Sequence, residues 1–131
     1  VAVCAAAVAD WRVAEASEQK IKKDAGGSPA LTLIPNADIL ALLSQPGPRR
    51  PRLVIGFAAE TERVVEHATA ERARKGCDWI VANDVSPATG IMGGAANEVQ
   101  LISATGAEAW PWMSKIAVAA QLAERIAAAL K

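Results

Sequence analysis

The residues best suited to chemistry lie near the start of the chain, where an apolar run of small side chains ends at an acidic residue. The run covers residues 5–9 and ends at Asp10, and Lys20, Lys22 and Lys23 follow after a short gap. In an open α/β sheet, ligands bind just beyond the carboxyl ends of buried strands. A carboxylate there can serve a metal ion or a hydroxyl group, and ammonium groups can serve phosphates. The segment therefore indicates a nucleotide site.

Three later segments make this indication specific. Residues 35–39 read Pro-Asn-Ala-Asp-Ile, residues 56–61 read Gly-Phe-Ala-Ala-Glu-Thr, and residues 81–86 read Val-Ala-Asn-Asp-Val-Ser. In order and spacing, these segments and the start of the chain closely resemble the phosphopantothenoylcysteine synthetase family. This family is the CTP-dependent ligase of coenzyme A biosynthesis. In bacteria it is usually the C-terminal half of a protein whose N-terminal half is a flavin-dependent decarboxylase.

The resemblance covers the whole chain but not the whole family domain, because the family has an upstream Gly/Ser-rich nucleotide-binding part. We therefore expect residues 1–131 to be the C-terminal portion of one CTP-dependent synthetase domain, with the upstream part of the domain absent. This portion alone is then expected to be inactive. FMN would belong only to a decarboxylase domain fused upstream.

The composition favours a layered α/β protein. Hydrophobic residues make up 52% of the chain and aromatic residues only 4%, so the core must consist mainly of Ala, Val, Ile and Leu. Such a core favours helices packed on a sheet. We predict a Rossmann-like three-layer α/β fold with a mostly parallel sheet and an antiparallel hairpin at one edge. Lys and Arg total 14, as do Asp and Glu, and this balance argues against a nucleic-acid or membrane partner.

The two cysteines and the apolar start suggest where the protein works. Cys4 and Cys77 each lie in or beside an apolar run, which favours buried free thiols in a reducing cytoplasm. Residues 1–9 are too short to span a bilayer and lack a basic flank, so we interpret them as a strand.

The hydrophobic pattern predicts alternating strands and helices. The expected strands cover residues 1–7, 30–34, 53–57 and 78–82, and residues 12–29 are expected to form a mobile loop. Helices are expected from an Asn36 cap to about Ser44, and from a Thr61 cap through residues 62–75 with a stop at Gly76.

The last part of the chain predicts a hairpin and a closing helix. Residues 97–103 and 108–113 can pair through Thr105 and Gly106, and Ser114 can cap the helix that follows. The apolar positions that we assign to the buried face of this helix are Ile116, Ala120, Ala123, Ala127 and Leu130.

The resemblance implies a reaction in two steps. The carboxylate of 4′-phosphopantothenate attacks the α-phosphate of CTP and gives an acyl-cytidylate and pyrophosphate. The amine of cysteine then displaces CMP and forms the amide. Because the protein must hold anions together, cations, Mg²⁺ and backbone N–H groups should dominate the site.

At the start of the chain, the resemblance assigns nucleotide binding to Ala6, Ala7 and Asp10. Ala6 and Ala7 would let the backbone approach the ligand closely, and Asp10 would bind the metal–triphosphate or the ribose. A helix cap or a turn acid is the alternative for Asp10. Lys20 matches the family lysine that closes over the acyl-cytidylate, and it is the candidate catalytic residue. A solvated charge run is the alternative, and Lys22 and Lys23 fit it.

Residues 34–37 match the segment whose backbone lines the nucleotide base. They are Ile34, Pro35, Asn36 and Ala37, with Pro35 where the family usually has lysine and Ala37 where it usually has proline. Phe57, the only phenylalanine in the chain, matches a residue that packs against the base or the ribose. An ordinary core position is the alternative for Phe57.

Lys75 matches a family lysine near the triphosphate. The alternative is a favourable charge at a helix C-terminus. Glu71 stands where the family has a second lysine, and Arg72 and Arg74 are candidates for its role. Asn83 and Asp84 are expected to hold neighbouring loops, and direct contact with a ligand is the alternative.

The sequence is also compatible with two other functions. A Rossmann-type oxidoreductase would also fit alternating strands and helices, although no Gly-x-Gly-x-x-Gly motif follows a strand in this sequence. A non-catalytic interaction domain is a third hypothesis. The resemblance also implies a homodimer, for which residues 11–14 and 30–34 are the candidate pairing strands.

Overall fold

The strands predicted at residues 1–7, 53–57 and 78–82 have counterparts in one sheet, as their continuous apolar runs require, although the first strand covers only Ala2–Cys4. The computed structural model describes residues 1–17, 19, 30–91 and 93–131. These residues form two compact units. The sheet unit contains Val1–Ala5 and Ile39–Lys131, and the small unit contains Ala6–Asp38.

The sheet unit is built on five strands. They are β1 (Ala2–Cys4), β4 (Val54–Glu60), β5 (Trp79–Asp84), β6 (Ala96–Ser103) and β7 (Gly106–Ser114), and they lie in the order β1-β4-β5-β6-β7. The pairs β1–β4 and β4–β5 are parallel, whereas β5–β6 and β6–β7 are antiparallel. The predicted α/β fold with an antiparallel hairpin at one edge is confirmed.

Helices cover both faces of this sheet. They are α1 (Ile39–Ser44), α2 (Val64–Lys75) and α3 (Lys115–Ala129). One core joins Leu40 of α1 and Ala68 of α2 to the strand residues Val54 and Ile80. A second core joins α3 to the other face of the sheet, because successive residues of a strand point to opposite faces. The predicted three layers are confirmed.

Several local signals act as predicted. The Gly76 N–H donates to the Arg72 carbonyl. Gly76 has φ 72°, a left-handed conformation that glycine adopts readily because it has no Cβ. The Ser114 hydroxyl accepts a hydrogen bond of 3.1 Å from the Ala117 N–H and so caps α3. Ser103 pairs with Gly106 at the tip of the predicted hairpin.

The predicted caps at Asn36 and Thr61 are wrong. Helix α1 begins only at Ile39, and the Asn36 side chain bonds instead to Arg12 and to the Ala9 carbonyl. Helix α2 begins at Val64, because β4 continues through Glu60 and the intervening residues turn the chain back. The residue that precedes α2 is Arg63, with φ 47° and ψ 42°.

The buried face of α3 also differs from the prediction. Val118 and Leu122 are buried, with Ile126 and Leu130 packed against the same core. Leu130 is therefore correctly predicted. The other predicted positions, Ile116, Ala120, Ala123 and Ala127, are exposed, and Ile116 is 83% accessible. The buried stripe is the one with the larger total apolar area, because burying it removes more of that area from water.

The small unit contains a two-stranded antiparallel sheet, β2 (Trp11–Val13) and β3 (Leu33–Pro35). Trp11 pairs with Pro35 and Val13 with Leu33. The predicted loop over residues 12–29 is therefore wrong at its start, where the chain is a strand. The rest of that prediction includes residues 18 and 20–29, which lie outside the described residues.

Both cysteines are free thiols, as predicted. Cys77 is buried, and this burial raises the pKa of its thiol, whereas Cys4 is half-buried. In the part of the chain that the structure describes, no helix has the length and apolarity needed to cross a bilayer.

Candidate functional site

Asn36 joins the two segments of the small unit that were assigned to the nucleotide. Its backbone N–H donates to the Asp10 carbonyl at 2.8 Å, and its Nδ2 donates to the Ala9 carbonyl at 2.8 Å. Arg12 donates to the Pro35 carbonyl at 3.1 Å and to the Asn36 Oδ1 at 3.2 Å. The structure therefore brings Asp10 together with the predicted base-binding segment.

The side chains of this arrangement differ in exposure. Asp10 is exposed, as are Pro35 and Ala37, whereas Ile34 and Asn36 are half-buried. Because the Asp10 carbonyl is already bonded to Asn36, the backbone is held while the carboxylate faces solvent. An exposed carboxylate on a held backbone can accept a hydroxyl or share a metal ion.

Ala6 and Ala7 lie just beyond β1, which ends at Cys4. Both are exposed, and the Val8 N–H donates to the Ala6 carbonyl at 3.0 Å, which closes a tight turn. Lys20 lies outside the described residues, so its role in closing over the intermediate stays a prediction.

Phe57 occupies the middle of β4 in the sheet unit. It pairs with Val81, which belongs to the core beneath α3, yet Phe57 itself is 41% accessible. The alternative of an ordinary core position is therefore wrong. Its ring remains available to a ligand or a partner.

Lys75 is the last residue of α2 and pairs with Glu71 at 2.9 Å. A glutamate four residues before a lysine is the favourable order for such a pair on a helix. Because α2 returns the chain to the start of β5, Lys75 lies at the amino end of that strand. The structure does not place Lys75 beside Glu60 or Asp84, which lie at the carboxyl ends of β4 and β5.

The arginines that were alternatives for phosphate binding are also engaged. Arg72 donates to the Cys77 carbonyl at 3.3 Å and to the Asp78 carbonyl at 3.5 Å. Arg74 lies 3.9 Å from the Glu71 carboxylate. These hydrogen bonds therefore connect the last turn of α2 to the residues just before β5.

Asp84 holds the loop that follows β5, as predicted. Its Oδ1 accepts a hydrogen bond of 2.8 Å from the Ser86 N–H, and its carbonyl accepts one of 3.2 Å from Thr89. The bond from the Ser86 backbone N–H, followed by a contribution from the Ser86 side chain, lowers the pKa of the Asp84 carboxyl below its ordinary value. Asp84 is therefore ionised at neutral pH.

Sequence reasoning missed a cleft of about 530 Å³ in the sheet unit. It lies where β5 ends, between the start of α2, the 3₁₀ turn Pro87–Thr89 and β6. The residues that line it are Arg63, Val64, Val65, Glu66, Asn83, Asp84, Thr89, Ile91, Glu98 and Gln100. They come from four separate segments. Of these, only the Asn83-Asp84 motif was visible as a sequence signal.

Among the described residues, no group of three or more His, Cys, Asp or Glu side chains could hold a metal ion. Mg²⁺ often binds through one or two carboxylates, substrate phosphates and water. The exposed Asp10 carboxylate could supply the one protein ligand that such a Mg²⁺ site requires. Among the described residues, Asp10 does not belong to a metal site made of protein ligands alone.

The comparisons with known proteins agree on one family. Residues 1–130 match the family described as the DNA/pantothenate metabolism flavoprotein C-terminal domain. A relative from Haemophilus influenzae, named coenzyme A biosynthesis bifunctional protein CoaBC, is 40% identical over 121 residues. That match covers 92% of this chain and 30% of the relative. A protein of the same name from Escherichia coli is 48% identical over 86 residues, which covers 64% of this chain and 21% of the relative.

Solved structures support the same assignment. The crystal structure of the C-terminal domain of a coenzyme A biosynthesis bifunctional protein CoaBC has a TM-score of 0.67 and 30% identity. It covers 96% of this chain and 53% of that chain. A structure of the DNA/pantothenate metabolism flavoprotein from Streptococcus pneumoniae, with a TM-score of 0.59 and 22% identity, covers 78% of this chain and 44% of that chain and shows the shared fold alone.

This chain spans about 30% of the length of the Haemophilus relative and 31% of one from Vibrio vulnificus. The family match nevertheless extends over nearly all of the chain. By sequence and by fold, the chain belongs to the family of the DNA/pantothenate metabolism flavoprotein C-terminal domain.

Proposed function

We propose that this chain is the C-terminal portion of a CTP-dependent synthetase domain that joins 4′-phosphopantothenate and cysteine. Its relatives are named as proteins of coenzyme A biosynthesis, and its sequence carries the synthetase segments described above. The observation that carries the proposal is the hydrogen bonding of Asn36 to Ala9 and Asp10, which joins two segments assigned to one nucleotide. Coenzyme A synthesis would place the reaction in the cytoplasm.

In the first step, a carboxylate oxygen of 4′-phosphopantothenate forms a bond to the α-phosphorus of CTP. The bond from this phosphorus to the bridging oxygen breaks, and pyrophosphate leaves with the electron pair. In the second step, the cysteine nitrogen attacks the acyl carbon, loses a proton and expels CMP. The mixed anhydride is needed because a free carboxylate has no good leaving group.

The small unit supplies the groups that we assign to CTP. The backbone of residues 34–37 would contact the base. Arg12 and Asn36 hold this segment against the end of the alanine-rich run. Mg²⁺, when bound, would neutralise triphosphate charge, and Asp10 would hold it. Lys20 would shield the acyl-cytidylate from water.

The family resemblance assigns Phe57 to the base or the ribose and Lys75 to the triphosphate. The accessible ring of Phe57 is suited to packing against a base or a ribose. Lys75 is paired with Glu71, so its use in phosphate binding would require this ion pair to exchange for phosphate.

We also propose that the protein is a homodimer that pairs through the small unit. The two strands β2 and β3 have three residues each, and an isolated pair of strands is marginally stable in water. Trp11 and Leu31 are 59% and 61% accessible, which leaves apolar surface for a second copy. Light scattering on the wild type and on Trp11→Ser tests this assignment, and an unchanged mass for the variant would contradict it.

The ligase proposal is tested by following CMP and pyrophosphate release together with amide formation from 4′-phosphopantothenate and cysteine. The assay uses the longer protein in which this domain occurs, with ATP, NADH and omitted cysteine as controls. CTP-dependent amide formation is expected. NADH turnover without CTP use would instead favour the oxidoreductase alternative.

A further inference from the structure

The cleft at the carboxyl end of β5 is a feature that the nucleotide assignments do not use. The described residues that line it all belong to the sheet unit and do not include Phe57 or Lys75, and its volume of about 530 Å³ is in the range of small-molecule sites. It is therefore a second candidate site.

The charge of the cleft selects against anions. The described residues that line it carry three carboxylates, Glu66, Asp84 and Glu98, and one guanidinium, that of Arg63. Arg63 and Glu66 form a two-point ion pair with each other, so they neutralise one another. The charges that remain for a ligand are those of Asp84 and Glu98. A triphosphate or a phosphorylated acid would be repelled from this position.

Several polar side chains of the cleft have no partner in the part of the chain that the structure describes. The side chains of Asn83, Glu98 and Gln100 make no hydrogen bond to another described residue. The Asp84 carboxylate accepts a hydrogen bond from the Ser86 N–H through Oδ1 and keeps further acceptor capacity, since a carboxylate offers about four lone-pair sites. The cleft thus presents carboxylate and amide oxygens, the acceptors that a protonated amine with three N–H donors requires.

The cleft is also lined by apolar side chains. Val64 and Val65 contribute from the first turn of α2, and Ile91 contributes from the loop after the 3₁₀ turn. Ile91 is buried, whereas Val65 is 42% accessible, so the apolar lining offers exposed surface on a packed base. A ligand with an ammonium group and a short apolar or sulfur-bearing part would match both the polar and the apolar lining.

We propose that this cleft binds a small molecule that carries a protonated primary amine, with the ammonium group held by Glu98 and Asp84. The choice of ligand rests on the proposed function. Because the amine of the proposed reaction belongs to cysteine, we assign cysteine to this cleft. Binding as the ammonium form would keep the amine unreactive until it loses a proton to solvent or to a carboxylate.

The test is an NMR titration of the ¹⁵N-labelled chain without CTP, so ligase activity is not needed. The probes are cysteine and cysteamine, which share the ammonium group and the thiol, and N-acetylcysteine, which lacks the ammonium group. Magnesium chloride is titrated separately. We expect saturable shifts at the amides of Asn83 and Gln100 with cysteine and cysteamine only.

Matched variants locate the site. Glu98→Gln removes a charge from the cleft, and Glu124→Gln removes one from the exposed surface of α3. We expect Glu98→Gln to weaken cysteamine binding by about tenfold and Glu124→Gln to leave it unchanged. If Glu98→Gln does not fold, as judged by its amide spectrum, the comparison of the three probes on the wild type still decides.

Three results would overturn the proposal: no saturable shift with either amine, equal binding of N-acetylcysteine, or shifts at these amides with Mg²⁺ but not with the amines. The ligase proposal fails separately, if no CTP-dependent amide forms. An amine site in a protein without ligase activity would retain this inference and exclude the proposed function.

Discussion

At the scale of single residues, Asn36 has the largest organising effect in the small unit. Its three hydrogen bonds reach Ala9, Asp10 and Arg12, which lie more than twenty positions away in sequence. The sequence predicted that residues 10 and 34–37 share a ligand, and the structure shows how their backbones are joined. The local prediction of a helix cap was wrong because these distant partners occupy the Asn36 side chain.

Asp10→Asn should weaken CTP and Mg²⁺ binding together. The substitution removes a charge from an exposed side chain and nearly preserves its shape, while the backbone bond from Asn36 to residue 10 remains. Titration of CTP at several Mg²⁺ concentrations in the longer protein measures both affinities, and we expect a loss of about tenfold. Unchanged apparent affinities would show that Asp10 is a turn acid.

Lys20→Gln should separate the two steps of the reaction. We expect the longer protein with this change to consume CTP but to accumulate acyl-cytidylate or lose it to hydrolysis, because a cation over the anhydride excludes water. Quenched reactions resolved by chromatography give the nucleotides and the amide. Lys23→Gln, in the same lysine cluster, is the control. A full yield of amide from Lys20→Gln would contradict the assignment.

At the scale of elements, α3 shows how an alanine-rich helix chooses its buried face. Apolar residues surround most of the helix, so helical spacing alone is satisfied by more than one stripe. Val118, Leu122, Ile126 and Leu130 form the stripe with large side chains, and this stripe packs on the sheet. In helix α2 the sequence predicted the end correctly, at Gly76. It did not predict the start, because β4 extends to Glu60 and the helix begins only at Val64.

Two substitutions in α3 test this choice. Leu122→Ala should lower the free energy of unfolding by about 2–4 kcal/mol, because it leaves a cavity in the core beneath the helix. Ile116→Ala should change it by less than about 0.5 kcal/mol, because Ile116 is exposed. Urea denaturation followed by circular dichroism measures both. Equal losses would mean that both stripes are covered in solution.

At the scale of the whole molecule, the two compact units contain different parts of the proposed machinery. The small unit contains Asp10 and residues 34–37, which are assigned to CTP, and the sheet unit contains Phe57 and Lys75, which are assigned to it as well, together with the acidic cleft. Within the part of the chain that the structure describes, each parallel strand β4 and β5 is followed by a turn without the glycine-rich pattern that cradles phosphates.

We expect the 131 residues alone to bind CTP weakly or not at all and to lack ligase activity. Restoring roughly 80–100 upstream residues, in keeping with ordinary domain sizes, should return both properties. Isothermal titration of CTP into the two chains measures the difference, and circular dichroism confirms that each is folded. Tight CTP binding by the shorter chain would show that the phosphate site is misplaced.

The sequence by itself determined the features that depend on contacts between near neighbours and on composition. The Ser114 cap, the Gly76 stop and the turn between β6 and β7 each join residues a few positions apart, so their signals are complete within a short segment. The layered α/β fold was also predictable, because apolar runs too long for turns must be buried as strands.

Only the tertiary structure decided which groups from distant segments meet. It gave Asn36 its partners, selected the buried stripe of α3, paired Lys75 with Glu71 at the amino end of β5, and formed the cleft from four segments. The physical reason is that these outcomes depend on which surfaces compete for burial and which polar groups find partners. That competition is settled by packing across the whole fold rather than by any local pattern.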